Sequence, residues 1–348
     1  MEQKKDGPTT LANVAAAAGV SIATVSKVLN GRADVGPATR ARVLSLLQEH
    51  EYIGRGAESA GRRLAAQPTI ELVFHERLSG YSMEILQGVL DAATEVGVAV
   101  AVSLRRRQLA KAGVTRPAVW ARNLAKIGRQ AVIDVVDDAR EGDLAALARA
   151  RLPLVVLDPL NLPQSRVTSI GVTNFAGGLA ATGHLLSLGH RRIAYMGVNA
   201  ASAYDQARMH GYRAALEAAD VTVPDGYVRS QSSDYSAGVA GAVVLLDLPQ
   251  RPTAIFAATD EVAAGVVEAA RERALRVPQD LSVVGFDDTE VARLLSPPLT
   301  TVRQPLREMG RLALRTALRL AAGEELDSHH VELATELILR GSTAAPAS

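Results

Sequence analysis

From Thr69 onward, short apolar runs alternate with helical segments, and this alternation leaves few architectures open. The runs are IELVF, GVAVAVSL, AVIDVV, LPLVVLD, RRIAYMG, TAIFAATD and LSVVGFDD. Between them lie helix-period patterns such as MEILQGVLDAATEVG and GGLAATGHLLSLGH. Strand and helix in steady succession give parallel sheets, because a parallel neighbour is reached only through a long, right-handed connection. The span is too long for one five-stranded unit, so an α/β core of two Rossmann-like halves is predicted over 69–343. With 48% hydrophobic residues in 348, the chain can bury more than one core.

The N-terminal segment follows another period. In LANVAAAAGVSIATVSKVLNGR, Leu11 to Arg32, two short helical patterns meet at a glycine. Thr10 is placed to cap a helix that buries Val14 and Ala18. Gly19 suits a tight turn with positive φ, and Val20 points inward. Ser21 caps a second helix with Val25 and Val28 on its inner face, and Asn30-Gly31 ends it. Ala15, Gly19 and Val25 are expected where the two helices cross closely. A third helix follows in GPATRARVLSLLQEHEYI, with Pro37 near its first turn and Val43, Leu46 and Leu47 inward. This is a helix-turn-helix pattern, although an ordinary α-hairpin shares its spacing. Local charge favours the first: Lys27, Arg32, Arg40, Arg42 and Arg55 outnumber Asp34, Glu49 and Glu51, which fits phosphate contacts. A small all-α headpiece is therefore expected over 9–53, with a linker over 54–68.

The totals exclude more than they assign. The net charge is only +1, so any basic surface is local. Without cysteine there is no disulfide, thiolate catalysis or cysteine-held zinc. MEQKKDGPTT contains no apolar signal region, and no run of about 18 apolar residues follows. A cytoplasmic protein with no membrane partner is expected. No strand ends in G-x-G-x-x-G or G-x-x-x-x-G-K, and the glycines of GVTNFAGG lack that spacing. No Ser/His/Asp order or metal motif stands out, and His184 and His190 are expected to be structural. Neither an enzyme nor a cofactor is expected.

In open parallel sheets a ligand sits beyond the carboxyl ends of the strands. His75 and Glu76 follow IELVF, Asp158 follows LPLVVL, Thr259 and Asp260 follow TAIFAA, and Asp287 and Asp288 follow LSVVGF. Carboxylates accept from sugar hydroxyls and suit anionic ligands poorly. Asp260 and Asp288 also suit helix N-caps and turns. Trp120, the only tryptophan, either stacks on a sugar face or fills core.

LANVAAAAGVSIATVSKVLNGR, followed by TRARV and then Tyr52, resembles the headpiece of the LacI/GalR family of transcriptional repressors. The resemblance puts the second helix in the major groove, with Ile22, Ala23 and Lys27 at base-reading positions. Ser21, Thr24, Ser26, Asn30 and Arg32 join the expected DNA contacts, Thr24 and Ser26 toward phosphates. Family members carry a hinge helix whose leucine, nine residues after the tyrosine, wedges into the minor groove. Here that position is Gly61, and Leu64 falls three residues late. Gly54, Gly56 and Gly61 each weaken a helix by about 1 kcal/mol relative to alanine. Either the hinge helix shifts to about 57–66 and places Leu64, or it is absent and Arg62 and Arg63 serve the minor groove by charge.

The blocks LGHRRIAYMG, RMHGYRAAL, VPQDLSVVGFDD, LSPPLTTVRQP and LRGST resemble the family's effector-binding core, which is similar to periplasmic sugar-binding proteins. The resemblance implies that Arg208 grips effector hydroxyls and that Asp158 and Asp287 are polar contacts. Thr259 stands where many members have asparagine. It also implies that the chain crosses three times between subdomains, giving an N-subdomain of about 69–172 plus 305–332 and a C-subdomain of about 173–304 plus 333–343. The implied function is a repressor whose operator affinity is controlled by a sugar or oligosaccharide; a non-sugar effector such as a nucleobase is the alternative. A homodimer would read a near-palindromic operator. No heptad tail follows Ser342, so a dimer is expected rather than a tetramer.

Overall fold

The structure is a computed structural model. It describes residues 11–29, 32, 35–49, 67–75, 78–105, 116–136, 141–161, 167–198, 202–230 and 232–347. The chain forms two compact units, residues 1–67 and 68–348.

In the first unit, α1 (Leu11–Ala18), α2 (Ile22–Leu29) and α3 (Pro37–Glu49) enclose one small core. Val14, Ala15, Ala18, Val25, Val28, Val35, Val43 and Leu47 form it. Gly19 has φ +67, which only glycine adopts without strain, so the chain turns there. The expectation that Gly19 also lies in a close helix crossing is corrected: a Cβ there would meet nothing within 4 Å. Ala15 and Val25 make the contact instead. Ser21 caps α2, its Oγ accepting from the Thr24 N–H at 3.1 Å. Pro37 opens α3, where a missing N–H removes no helical bond. Thr10, Asn30, Gly31 and the linker with Arg62, Arg63 and Leu64 lie outside the described residues.

The second unit holds two sheets. The first has the order β11-β5-β4-β3-β1-β2 and is parallel throughout. Its strands are β1 (Thr69–His75), β2 (Ala99–Arg105), β3 (Arg129–Val135), β4 (Leu154–Leu157), β5 (Thr168–Val172) and β11 (His330–Leu333). The helices of this subdomain are α4 (Gly80–Val96), α5 (Pro117–Lys126), α6 (Glu141–Arg149) and α12 (Leu306–Ala321). The second sheet has the order β12-β10-β9-β8-β6-β7, with only β12 antiparallel to its neighbour. It comprises β6 (Ile193–Gly197), β7 (Val228–Ser230), β8 (Ala254–Ala257), β9 (Ser282–Asp287), β10 (Thr300–Arg303) and β12 (Glu336–Ile338). Its helices are α7 (Asn174–Ser187), α8 (Ala203–Ala218), α9 (Tyr235–Leu246), α10 (Asp260–Glu272) and the short α11 (Glu290–Leu294).

The chain passes between the sheets after β5, after β10 and after β11. The third passage comes one residue later than expected, because Leu333 still pairs with Val172 in the first sheet. The strands that are covered on both faces, such as β8 and β9, are buried along their whole length, which is why they appear as mostly apolar runs.

Glycines set the helix spacing. A Cβ on Gly88 of α4 would overlap the Arg307 carbonyl, and one on Gly310 of α12 would overlap that of Ile85. Gly178 and Gly211 stand in the same relation on α7 and α8, as do Gly238 and Gly265 on α9 and α10. The α4–α12 seam also carries Arg307–Glu84 at 2.7 Å, Arg311–Asp91 at 2.8 Å and Arg315–Glu95 at 3.5 Å. Partly or fully exposed pairs like these contribute about 0–1 kcal/mol each, whereas forcing a methyl into a packed seam costs about 1–3 kcal/mol or more. The close backbone approach, not the ion pairs, fixes the seam.

Residues 340–344 run beside β9 as a strap. The Ser342 hydroxyl donates to the Val283 carbonyl at 2.6 Å, and the Val283 N–H donates to Ser342 O at 2.9 Å. His190 Nε2 lies 2.9 Å from the Ala344 carbonyl and Nδ1 lies 2.9 Å from the Thr253 hydroxyl. Burial lowers the pKa of His190, favouring the neutral ring. The expectation of a structural role for His190 and His184 agrees with these contacts, since His184 Nε2 meets Thr343 Oγ1 at 3.0 Å.

Candidate functional site

In the headpiece, Ile22, Ala23 and Lys27 are exposed on α2. Ile22 is 51% exposed although it is large and apolar, so it is not part of the core. Ser21 and Thr24 join hydroxyls at 2.9 Å at the start of the helix. The Arg32 N–H donates to the Lys27 carbonyl at 3.0 Å, and Arg40 from α3 donates to the Arg32 carbonyl, bracing the end of α2. The geometry presents one helix face of small, apolar and cationic groups, and Ser26 stands beside it half-buried.

In the second unit a cleft of about 330 Å³ opens between the sheets, at the carboxyl ends of their strands. This is the low end of the usual range for ligand pockets, about 300–1,000 Å³. The first subdomain supplies His75, Ser79, Tyr81 and Asp158; the second supplies Tyr204, Arg208, Thr259, Glu261, Asp287 and Thr289. Gln304 reaches in from the second passage between the sheets.

Arg208 is the organising group, and it is only 2% exposed. Its Nε donates to Asn174 Oδ1 at 2.8 Å and its Nη1 to the Ala258 carbonyl at 2.7 Å. Its guanidinium lies flat against Phe286, 3.7 Å from the ring centroid, and Asp287 Oδ1 is 3.9 Å away. The fork is thus held by backbone, amide and aromatic face, with donors left to point at a ligand.

The acids are more numerous than the base that faces them. Tyr81 donates to Asp158 Oδ2 at 2.6 Å, while Asp158 Oδ1 is buried with no hydrogen-bond partner among the described residues. Gln304 Nε2 donates to Asp287 Oδ1 at 2.5 Å. Behind them, Asp260 accepts from the Thr289 N–H at 2.7 Å, the Thr289 hydroxyl at 3.0 Å and the Thr301 hydroxyl at 2.6 Å. Burial pushes all three carboxyls up: Asp158 and Asp287 despite the charge of Arg208, and Asp260 to about 7. Burial, then the Asp158 charge, likewise raises the Tyr81 hydroxyl well above its ordinary value. The same burial would penalise an anion entering this cleft.

The structure brings together His75, Asp158, Thr259 and Asp287, which the strand-end argument singles out, and Arg208, which the resemblance implies. His75 Nε2 is 2.7 Å from Asp134 Oδ1, which fixes the ring at the cleft wall. Thr259 is also the N-cap of α10, its Oγ1 accepting from the Val262 N–H at 3.2 Å. Asp260, in the first turn, proves to be a brace rather than a cap. Glu76 lies outside the described residues. Trp120 is a correction: it is not among the lining residues. It packs against the hydrophobic cluster that contains Val73, Leu124 and Leu147, and Arg105 covers its ring at 4.0 Å, so the face a sugar would need is occupied. The strand-end rule missed Tyr81, Asn174, Tyr204, Glu261 and Gln304. The first four stand in the first turns of helices that follow strands, where a search would have found them.

A helix-turn-helix unit joined to a two-lobed unit with a polar interlobe cleft defines a transcription regulator with a ligand-binding half. Residues 10–54 match the model for bacterial regulatory proteins of the lacI family, and residues 182–343 match the periplasmic binding protein-like domain. The chain is 34% identical over 339 residues to the HTH-type transcriptional regulator CelR of Thermobifida fusca, covering 96% of this chain and 98% of that one. It is 31% identical over 338 residues to the HTH-type transcriptional regulator DegA of Bacillus subtilis, covering 97% and 98%. Among solved structures, it superposes on the lac repressor dimer bound to operator and the anti-inducer ONPF with TM-score 0.77 at 28% identity, covering 97% and 100%. On the CelR–cellobiose complex the TM-score is 0.70 at 31% identity, covering 96% and 99%. The chain belongs to the lacI family of bacterial regulatory proteins. It is a DNA-binding transcription regulator. Among the described residues no single helix is long and apolar enough to cross a membrane.

Proposed function

We propose that this protein is a sequence-specific repressor whose operator affinity is controlled by a small carbohydrate held between the lobes. The observation that carries this reading is the composition of the cleft: buried Asp158 and Asp287 facing the single guanidinium of Arg208. Such a site accepts from and donates to neutral hydroxyls and disfavours phosphates. The cellobiose in the related CelR complex supports the choice of ligand class. In this reading the protein binds and releases; it performs no catalytic step, and it works in the cytoplasm.

The DNA is read by Ile22, Ala23 and Lys27 at base edges, with Ser21, Thr24, Ser26 and Arg32 toward the backbone. Two headpieces of a homodimer engage a near-palindromic operator, as a dimer does in the lac repressor complex. Effector and operator each favour one arrangement of the lobes, so each alters the other's affinity, by about 1–3 kcal/mol in typical cases. In this reading the headpiece runs to about residue 53 and a linker to about 68, before the two-lobed core; the division of the chain into units 1–67 and 68–348 supports it.

The test is a thermal-shift screen of mono- and oligosaccharides, beginning with cellobiose, with each hit retested by gel shift on a near-palindromic operator. A stabilising sugar that also changes operator affinity supports the reading. Stabilisation only by nucleobases or anions contradicts the carbohydrate assignment.

A further inference from the structure

Two helix N-termini reach across the mouth of the cleft, one from each lobe. α4 begins at Gly80 in the first subdomain, and the Gly80 N–H donates to Glu261 Oε1 in the second at 3.4 Å. α8 begins at Ala203 in the second subdomain, and the Ala203 N–H donates to the Leu160 carbonyl in the first at 2.6 Å. The first N–H groups of a helix have no partner within it. Here their partners stand on the opposite lobe, so both bonds are lost if the lobes separate.

The two contacts differ in kind. At 3.4 Å the Gly80 bond is longer than the usual 2.7–3.2 Å, about the limit of such bonds. Glu261 therefore acts chiefly as a negative charge at the positive end of α4. The Ala203 bond is short and needs no charge. Gly80 is further backed by Thr289, whose Cβ would stand 3.3 Å from a Cβ at position 80. Asp260 pins Thr289 by accepting from both its N–H and its hydroxyl.

We propose that Gly80–Glu261 and Ala203–Leu160 form a double latch that holds the lobes closed, so that residues at the rim of the cleft set how readily an effector is retained. The effector part of this inference rests on the function proposed above; the latch itself does not. Hydrogen–deuterium exchange on the full chain without ligand tests it, comparing wild type with Glu261→Ala and Ala203→Pro. Proline fits the first helical position, where no N–H is needed. The preceding Ser202 is already extended, at φ −85 and ψ 139, as a residue before proline prefers. Ala203→Pro thus leaves α8 intact while removing the donor and setting Cδ where the N–H met the Leu160 carbonyl, so this contact cannot form. The expected result is exchange over residues 78–83 faster by about fivefold or more in both variants, because opening exposes both contacts. Unchanged exchange there in Ala203→Pro overturns the latch, since residue 203 makes no hydrogen bond to that segment. A calorimetric titration with cellobiose adds the functional arm, with half-saturation raised by about tenfold in both variants. If cellobiose fails to bind wild type, that choice of effector is contradicted, and the exchange comparison still decides the latch.

Discussion

Thr173 and Thr335 hold two of the passages between the lobes together. Their hydroxyls meet at 3.0 Å, the Thr335 N–H donates to Thr173 Oγ1 at 3.0 Å, and the Thr335 hydroxyl lies 3.3 Å from the Thr173 carbonyl. The pair stands where β5 and β11 leave the first sheet for the second. Thr335→Val keeps the shape and the backbone bond but removes the hydroxyl. It is expected to lower stability by only about 1 kcal/mol while changing the effector concentration needed to alter operator binding. Thermal unfolding and an operator titration read the two effects separately; an unchanged titration shows that the pair is structural only.

Arg208→Ala is expected to abolish the response to effector and leave operator binding near wild type. The substitution strips donors from the cleft and leaves Asp287 less compensated, costing about 1–3 kcal/mol of stability as well. Arg208→Lys should rescue little, because an ammonium cannot both bridge Asn174 and Ala258 and lie flat on Phe286. Titrating the operator complex with the identified sugar checks both. Retained sensitivity in the alanine variant removes Arg208 from the site.

Lys27→Ala should weaken specific DNA binding by about 1–3 kcal/mol and relax preference at one base pair in each half-site. Lys27 is exposed in the last turn of α2, on the face that also presents Ile22. Binding to a set of single-base operator variants makes the distinction. An equal loss on random DNA, with base preference intact, would reduce Lys27 to a phosphate contact.

Asp260 is expected to give the core a pH dependence whose sign follows from its burial. Its carboxyl is raised from 3.8 to about 7, so the folded state holds a proton that the unfolded state releases near pH 4. The stability from this group is full below that lower value and falls as pH rises toward 7. Asp260→Asn cannot ionise. Wild type is therefore expected to lose stability relative to Asp260→Asn between about pH 4 and about pH 7, and little more above it. Denaturant unfolding of both proteins across that range is the measurement, and a constant difference would show that Asp260 stays ionised when buried.

The residues that announced themselves in the sequence did so through period and position. IELVF and LSVVGF are mostly apolar, with Glu71 and Ser282 as buried exceptions, because both faces of β1 and β9 are covered, and His75 and Asp287 at their ends line the cleft. β5, β7, β11 and β12 carry no such run: TSIGV is mostly small or polar, and the others are short and lie at sheet edges. Gln304 was illegible for a different reason. It acquires its role from Asp287, at the end of another strand, and spacing within one element cannot encode that. Trp120 misled because an aromatic ring suits a sugar and a helix–sheet seam equally well until Arg105 is seen to cover it.

The strand order has a consequence for synthesis on the ribosome. The first sheet is completed by β11, which pairs with β5 across a gap in sequence longer than the whole second lobe, and its seam with α4 needs Gly310. The second sheet in turn awaits Ser342, whose hydroxyl reaches back to Val283. Neither lobe can close its core as it emerges, whereas the headpiece, complete by α3, can. A nascent chain paused between β10 and α12 therefore carries a finished DNA-reading unit ahead of two unsealed parallel sheets, the state in which exposed strands invite aggregation.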